Sequence, residues 1–348
     1  MKKIIPLLLA VLMLTACLSL SGCGKEKQVL NLYSWDGMFP QEVLDAFTAE
    51  TGIEINYVFF DTDETMLAKL QAAKGGEYDV IIADDYIVEL AVNEGLVKKL
   101  DKSRLNNIGN VNPYYQGQFY DPSDDYSVPY GAGIIELVYY PEKTGFEIKN
   151  YEDLWSESLA GRVGVIGNYR VVNGMALKVL GYSFNTTDKA QLAEAGELMN
   201  RLSANIRIIN DNYLNDNLLS GEIDAALMYT SQATLACTAD PAVKAVLPET
   251  GLGFGIMPMF IASNAPHEEA AYKFMDYILQ AETAAECFEY IGYYSTNSAA
   301  DAYISDEMKP YLTLPVNATD DKEIIQNVPD EINDIHEEIW NNFRKNCD

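Results

Sequence analysis

The sequence has few of the residues and motifs on which enzymes commonly depend. It contains two histidines, His267 and His336, and each stands among glutamates in a segment of helical character, so we expect both on the solvated surface. The G-x-S-x-G nucleophile motif, the Walker phosphate loop and the H-E-x-x-H zinc motif do not occur. The sequence therefore offers little support for an enzyme, and we expect no cofactor and no metal.

Cysteine is also scarce beyond residue 23. Cys237, Cys287 and Cys347 are odd in number and far apart, and no C-x-x-C pair occurs. This spacing indicates neither a disulfide framework nor a zinc site. The chain must therefore be stabilised by its core, which a content of 48% hydrophobic and 11% aromatic residues permits.

Basic residues are outnumbered by acidic ones, 24 against 52, which gives a formal net charge of -28. A surface with this charge repels nucleic acid and anionic lipid headgroups, and it attracts cations. Two acidic clusters, DTDE at 61–64 and DPSDDY at 121–126, lack the spacing of a calcium loop, so we expect helix caps and turns there. The charge excludes nucleic acid as a partner, but it does not identify a ligand.

The N-terminus has the pattern of an export signal. Two lysines precede an apolar run, Ile4 to Leu14, which is about half of the roughly 20 residues that a membrane-spanning helix needs. The ending LSGC resembles the lipobox of bacterial lipoproteins, in which the cysteine is lipidated. A competing match, LTAC, ends at Cys17, but cleavage there would leave apolar residues beside the lipid. We therefore expect a cleaved signal peptide at 1–22 and a lipid-anchored, extracytoplasmic protein that begins at Cys23.

The mature chain, 348 minus 22 residues, is about right for two domains. Its first part alternates predicted strands (QVLNLYSW, IEINYVFF, YDVIIAD) with predicted helices (PQEVLDAFTAETG, DTDETMLAKLQAAKGG, DYIVELAVNEG). Pro40 is suited to the first turn of the first helix and Gly52 to its end. Strands and helices in this order predict parallel strands with right-handed crossovers, which is an open α/β sheet.

A second α/β unit follows Ser127. Strands are predicted at GRVGVIG and EIDAALMYT, and helices at VVNGMALKVLG and QLAEAGELMNRLSA. Two extended, glycine-containing apolar segments, 128–140 and 251–263, are suited to strands that cross between the two units. The second segment is not a dinucleotide-binding motif, because Ile256 stands where the third glycine is needed.

Several blocks of the sequence carry a resemblance to a known family. NLYSWDG, DETMLAKL, YDVIIADDYIV, DYSVPYG, MALKVLGYSFNTTD and IGYYSTN resemble, in the same order, the spermidine/putrescine-binding proteins of bacterial ABC importers. The resemblance implies a two-lobed periplasmic-binding-protein fold of type II, in which two extended crossovers form a hinge. It implies lobes at 27–132 with 258–304 and at 133–257 with 305–348, a monomeric receptor and an ABC permease as its partner.

The resemblance also implies a ligand site in the cleft between the lobes. Aromatic positions of the family's cleft correspond here to Trp35, Tyr86, Tyr229 and Tyr293. Aromatic faces hold the methylenes of a polyamine and attract its ammonium groups, while carboxylates bind the ammonium groups directly.

The family's usual acidic and aromatic positions are occupied differently in this chain. At these positions the chain has Gly37, Met38, Asn168, Val171, Gly255 and Met257. Asp36, Asp84 and Asp85, at strand ends of the first unit, are candidate replacements for the missing carboxylates, although the last two are equally suited to cap a helix.

Three functions remain open from the sequence. The first is a polyamine receptor that has moved its acids to Asp36 and to Asp84 or Asp85. The second is a receptor of the same fold for another small organic solute, such as a monoamine, a thiamine-like cation or a zwitterion, with Met38 and Met257 lining a more apolar pocket. The third is a lipid-anchored hydrolase, for which no pair of nucleophile and base is visible.

Overall fold

Two lobes share two long strands in the computed structural model, which describes residues 28–313 and 322–347. The predicted signal peptide at 1–22 and the predicted lipidation site, Cys23, lie outside these residues. Within the described part of the chain, no helix has the length and apolar character needed to cross a bilayer.

The strands of the described residues are β1 Gln28–Ser34, β2 Ile53–Phe59, β3 Val80–Ile82, β4 Ser127–Tyr139, β5 Val163–Val165, β6 Ile206–Ile209, β7 Ala225–Tyr229, β8 Lys244–Val246, β9 Leu252–Ile261, β10 Tyr294–Ser295 and β11 Lys322–Ile324. The α-helices are α1 Gln41–Thr51, α2 Asp63–Ala72, α3 Asp85–Asn93, α4 Pro141–Thr144, α5 Tyr169–Val179, α6 Lys189–Leu202, α7 Leu214–Ser220, α8 Thr230–Ala239, α9 Glu268–Ile278, α10 Ala281–Ile291, α11 Lys309–Leu312 and α12 Asp330–Cys347.

The sheet of the first lobe has the strand order β2-β1-β3-β9-β4. β1 is parallel to β2 and β3, whereas β9 is antiparallel to β3 and β4. Successive side chains of β1 point to opposite faces of the sheet. Leu32 packs in a hydrophobic cluster with α1, α9 and α10, and Tyr33 packs in a second cluster with α2 and α3. The sheet is therefore covered on both faces, and the buried strand β3 confirms the predicted strand at YDVIIAD.

The sheet of the second lobe has the order β6-β5-β7-β4, with β8 also paired to β4. β5 is parallel to β6 and β7, and β4 is antiparallel to β7. A single hydrophobic cluster fills this lobe. The C-terminal helix α12 returns to it and contributes Ile339, Trp340 and Phe343. The second predicted α/β unit is thus confirmed.

β4 and β9 connect the lobes. Residues 127–134 of β4 pair with β9 in the first lobe, and residues 135–139 pair with β7 in the second. β9 pairs with β4 over 254–260 and with β11 over 252–254. The prediction that two extended, glycine-containing segments cross between the units is confirmed.

The predicted ends of α1 are also confirmed. Pro40 precedes the helix with φ at -65°, and Gly52 ends it in the left-handed conformation with φ at 71°. The Gly52 N–H donates to the carbonyl oxygen of Thr48 at 2.9 Å, which satisfies one of the free carbonyl groups at the helix end.

The two acidic clusters form a helix cap and a turn, as predicted. Thr62 caps α2, because its hydroxyl accepts a hydrogen bond from the Thr65 N–H at 3.3 Å. The Asp121 carboxylate accepts the N–H groups of Asp125 and Ser127, both at 2.9 Å, and so closes the turn before β4.

The prediction of a solvated histidine is wrong for His336. Its side chain is fully buried between α12 and α5, where Asn173 donates to the His336 carbonyl oxygen at 2.9 Å. Burial, and then the charge of Arg170, lower the pKa of His336 to about 3, so the imidazole is neutral. His336 follows Ile332 by four residues and precedes Ile339 by three, which places it on the buried stripe of the helix.

Candidate ligand-binding site

The carboxyl ends of β1, β2 and β3 meet at one edge of the first lobe, because the three strands are parallel. In open α/β sheets this is the edge at which ligands bind. Trp35 and Asp36 directly follow β1, and Asp84 follows β3, with Asp85 and Tyr86 in the first turn of α3. All five predicted residues of this region therefore lie along one edge.

Trp35 is held by packing at the end of β1. Its ring lies 5.0 Å from that of Phe60, between ring centroids, and its carbonyl oxygen accepts a hydrogen bond from the Tyr57 hydroxyl at 2.8 Å. The indole is only partly buried, and Asp36 beside it is exposed. Gly37 then turns the chain with φ at 75°. The indole at this edge is therefore fixed in place and only partly covered, and it is followed in sequence by a solvated carboxylate.

Met38 and Met257 do not lie open to this edge. Each is 7% exposed, and both belong to the hydrophobic cluster that α1, α9 and α10 cover. Met257 lies against the backbone of Gly131, since a Cβ there would come within 2.8 Å of its Cε. Their thioethers therefore fill the core of the first lobe.

Asp85 connects α3 to the second crossover strand. It is 3% exposed, and its carboxylate accepts the N–H groups of Ile256 at 2.9 Å and Tyr86 at 2.7 Å. Burial, and then the charge of Asp84, raise the pKa of Asp85 well above its usual range. Its two carboxylate oxygens are thus engaged with the protein backbone, which gives Asp85 a structural contact in this site.

Asp84 and Asp63 form a pair of carboxyl groups. The Asp84 N–H donates to Asp63 Oδ1 at 3.2 Å, and the two side chains share a hydrogen bond. Burial, and then the charge of Asp84, raise the pKa of Asp63 to about 9. Burial raises the pKa of Asp84 to about 6, although the hydrogen bond from Asp63 opposes this. The two carboxyl groups therefore titrate as a pair, which holds one proton and one negative charge at neutral pH.

Glu64 adds a third carboxyl group to this edge. The Tyr86 hydroxyl donates to Glu64 Oε1 at 3.0 Å. Burial, and then the charge of Asp63, raise the pKa of Tyr86, so its hydroxyl stays neutral and remains a donor. Asp63 and Glu64 are not predicted as site residues from the sequence, because the DTDE cluster has the pattern of a helix start. The informative signal was its position, directly after β2 at the edge where β1 and β3 also end.

The second lobe presents an equivalent edge, formed by the parallel strands β5, β6 and β7. Asn168 follows β5 and caps α5, because its side-chain oxygen accepts a hydrogen bond from the backbone N–H of Arg170 at 3.1 Å. Asp211 follows β6, and Tyr229 ends β7. Asp211 was also missed by the sequence analysis, and its carboxylate accepts the Gly167 N–H at 2.7 Å.

Tyr229 of the second lobe and Tyr293 of the first lobe both respond to the charge of Asp84. Burial, and then the charge of Asp84 in the other lobe, raise the pKa of Tyr229, while a hydrogen bond with Asn168 opposes this. The pKa of Tyr293 is likewise raised by burial and by Asp84. Both phenols are therefore neutral and lie within electrostatic range of Asp84.

Of the predicted site residues, the structure groups Asp84, Tyr86, Asn168, Tyr229 and Tyr293 around the facing edges of the two lobes. Neutral phenols, an amide and the singly charged Asp63–Asp84 pair in this arrangement provide aromatic surface and negative charge together. A cation with an apolar body is the ligand that such a surface binds best.

Comparisons with known proteins agree with this chemistry. A family model described as bacterial extracellular solute-binding protein matches residues 42–316. A spermidine/putrescine-binding periplasmic protein of Salmonella typhimurium is 32% identical over 323 residues, which covers 92% of this chain and 93% of the relative. A putrescine/cadaverine-binding protein of Pseudomonas aeruginosa is also 32% identical, over 333 residues and 92% of each chain.

Solved structures show the same architecture. The crystal structure of a spermidine/putrescine ABC transporter substrate-binding protein from Streptococcus pneumoniae matches with a TM-score of 0.85 and 26% identity, and covers 92% of this chain and 100% of that one. The predicted two-lobed fold and the predicted resemblance are both confirmed. This chain belongs to the bacterial extracellular solute-binding proteins, among relatives that are spermidine/putrescine-binding proteins of ABC importers.

Proposed function

We propose that this protein is the extracytoplasmic receptor that binds a polyamine, such as putrescine or spermidine, and delivers it to an ABC importer. The observation that carries the proposal is the close pair of carboxyl groups, Asp63 and Asp84, at the strand ends of the first lobe, within electrostatic range of the phenols of Tyr229 and Tyr293. The names of the relatives support the same ligand class.

The acids of the site support a cation over a neutral solute. The family's usual acidic positions are empty of carboxylates here, but Asp63, Glu64 and Asp84 gather at one edge instead. The negative charge of the buried Asp63 and the partly buried Asp84 has no ion-pair partner among the described residues, which costs free energy, and a bound ammonium compensates for that cost. A neutral or zwitterionic ligand gains less from this edge, so the second candidate function is disfavoured.

A receptor function is also favoured over the lipid-anchored hydrolase. The curated relatives are binding proteins of transporters, and the titratable groups of the facing edges are carboxyls and phenols rather than a nucleophile with its base. We therefore propose a monomeric receptor without catalytic activity, whose macromolecular partner is the membrane permease.

The two lobes, proposed at 27–132 with 258–304 and 133–257 with 305–348, would close on the ligand by bending near 131–136 and 253–260. The pairing of β4 supports this proposal, because the strand leaves the first sheet after residue 134 and enters the second at residue 135. Domain closure of this kind is a hinge motion.

The ligand class is tested by isothermal titration calorimetry of the mature protein. We expect putrescine or spermidine to bind.

Trp35→Ala should weaken binding by about 1 to 3 kcal/mol through lost apolar contact and lost cation-π attraction. Asp36→Asn should cost a comparable amount if Asp36 binds an ammonium group, whereas Asp45→Asn, an exposed site on α1, should have no effect.

The ligand proposal fails if neither polyamine binds the wild-type protein at millimolar concentration. Binding of 4-aminobutyrate instead would establish the second candidate function, a receptor for another small solute.

The affinity for a polyamine should depend on pH through Asp84. The pKa of this carboxyl is raised to about 6, so protons compete with the ligand ammonium below that pH. Aliphatic ammonium groups remain charged over this range, like those of lysine. Calorimetry should therefore show about tenfold weaker binding at pH 5 than at pH 7.5, since each pH unit below the pKa costs up to tenfold. The Asp84→Asn variant should bind weakly at both pH values, and equal wild-type affinities at pH 5 and pH 7.5 would exclude Asp84 as the ligand carboxylate.

The protein is proposed to be anchored to the membrane through a lipid on Cys23, on the evidence of the LSGC motif. Mass spectrometry of the native N-terminus should find a lipidated cysteine at position 23, and Cys23→Ser should release the protein from the membrane fraction. An unmodified N-terminal peptide, or a lipid on Cys17, would show that this assignment is wrong.

A further inference from the structure

Glu136 is a buried carboxyl group at the point where β4 crosses between the lobes. It stands two residues after Ile134, the last residue of β4 that pairs in the sheet of the first lobe. Its side chain is 6% exposed, and the Tyr294 hydroxyl donates to Glu136 Oε1 at 3.2 Å. Tyr294 belongs to β10, which pairs with β4 at Ala132 in the first lobe. This hydrogen bond therefore joins the two lobes across the proposed hinge.

Glu136 and the aromatic ring of Tyr293 lie on opposite faces of β4. Successive side chains of a strand point to opposite faces, so positions 133 and 136 face opposite sides. The Tyr293 ring lies against Gly133. Tyr294, the next residue, lies on the side of Glu136 and contacts it. Glu136 is thus on the rear face of the hinge strand, which we define as the face away from Tyr293.

A cavity of about 280 Å³ lies beside Glu136 on this rear face. Both lobes contribute to its walls, Tyr294 from the first and Cys237 and Lys244 from the second. The volume is large enough for water molecules, and the polar side chains of the walls supply hydrogen-bond partners for them. A change in the angle between the lobes therefore changes the space and the water around Glu136.

The ionisable groups that face Glu136 come from each element packed against it. They are Tyr294 on β10, Cys237 on α8, Lys244 on β8, Tyr311 on α11 and, beyond Tyr294, Tyr115. Burial raises the pKa of the thiol and of each phenol, so these groups are neutral near pH 7. Lys244 is exposed, and within the described residues no lysine or arginine forms an ion pair with Glu136.

Glu136 itself changes its charge near neutral pH. Burial raises the pKa of this carboxyl to about 7, while hydrogen bonds with Thr230 and Tyr294 oppose the rise. A buried carboxylate without a cation is costly, and the cost falls when water reaches it. Since the cavity lies behind β4, a rotation that brings the facing edges of the lobes together moves its two walls apart. Closure therefore admits water to Glu136 and stabilises its ionised form.

We propose that Glu136, hydrogen-bonded to Tyr294, is a positioning residue of the hinge whose loss of a proton favours closure of the lobes. The protonated carboxyl is compatible with burial, whereas the carboxylate gains free energy when closure brings water to it. Closure then releases protons from Glu136, and the closed arrangement is favoured as the pH rises through about 7. The proposal goes beyond the proposed receptor function, because Glu136 acts through the hinge without touching the ligand.

Calorimetry with putrescine at pH 6 and pH 8 tests the proposal. Glu136→Gln keeps the shape of the side chain and removes its titration, while the dependence on Asp84 is common to both proteins. The affinity of the wild-type protein should rise about three- to tenfold more between these pH values than that of Glu136→Gln, since each pH unit below the pKa contributes up to tenfold. Glu142→Gln, at an exposed position of α4 in the same lobe, should behave like the wild-type protein.

Two readouts separate titration of Glu136 from a merely structural role. Binding enthalpies measured in buffers of different ionisation enthalpy count the protons released. At pH 7 the wild-type protein should release up to about half a proton more per putrescine than Glu136→Gln. Tyr294→Phe removes a hydrogen bond that lowers the pKa of Glu136, so the midpoint of the pH dependence should move to higher pH. A structural role would change the affinity by the same factor at every pH.

The same coupling is measured without ligand by pulsed electron paramagnetic resonance. Nitroxide labels at Asp61→Cys and Asn212→Cys, two exposed positions that follow β2 and β6, report the distance between the facing edges. Cys23→Ser and Cys347→Ser remove competing thiols. The mean distance should be shorter at pH 8 than at pH 6 in the wild-type background and should not depend on pH in Glu136→Gln. Melting temperatures report whether each variant is folded.

The outcomes distinguish this inference from the proposed function. If putrescine binds and Glu136→Gln shows the same pH dependence and proton release as the wild-type protein, the role of Glu136 is wrong while the polyamine function stands. If no polyamine binds, that function is wrong, and the label distances decide the role of Glu136. Distances that respond to pH equally in both proteins, or in neither, would overturn it.

Discussion

The arrangement of the site depends on β4 being hydrogen-bonded in both sheets. At the point where β4 changes sheets, the buried Thr230 hydroxyl accepts the Ile134 N–H and donates to the Ile134 carbonyl oxygen, each at 2.9 Å. Thr230 directly follows Tyr229, so this contact fixes the end of β7 against the crossover. Tyr293 from the first lobe lies against Gly133 of the same strand, where a Cβ would come within 2.9 Å of the ring. The two aromatic rings of the site are therefore positioned by one strand.

Two carboxyl groups, those of Asp63 and Asp84, determine which charge of ligand this site favours. Asp63 and Asp84 lie too close for both to ionise, and the pair holds one proton at neutral pH. Such groups are costly in a folded protein unless they bind a cation. The pair thus favours a ligand that brings positive charge to this edge of the first lobe.

Much of the fold could be predicted because it depends on local pattern. Pro40, Gly52 and Thr62 mark helix ends through their own backbone and side-chain chemistry, and the apolar crossovers are continuous in sequence. The site residues that were not predicted from the sequence depend on the order of the strands in the sheet instead. By its sequence context Asp63 is only the first residue of a helix, and it becomes part of the site because β2 ends beside β1. Asp211 follows a short strand, β6. Its position at the site edge depends on the pairing of β6 with β5 and of β5 with β7, which are distant in sequence.

The central claim is that a diamine connects the facing edges of the two lobes and closes them around β4 and β9. Small-angle X-ray scattering of the mature protein, with and without putrescine at a concentration shown by calorimetry to saturate it, tests this most directly. The radius of gyration should be smaller in the presence of putrescine, because closure makes a two-lobed receptor more compact. Superimposable profiles for the free and saturated protein would contradict it.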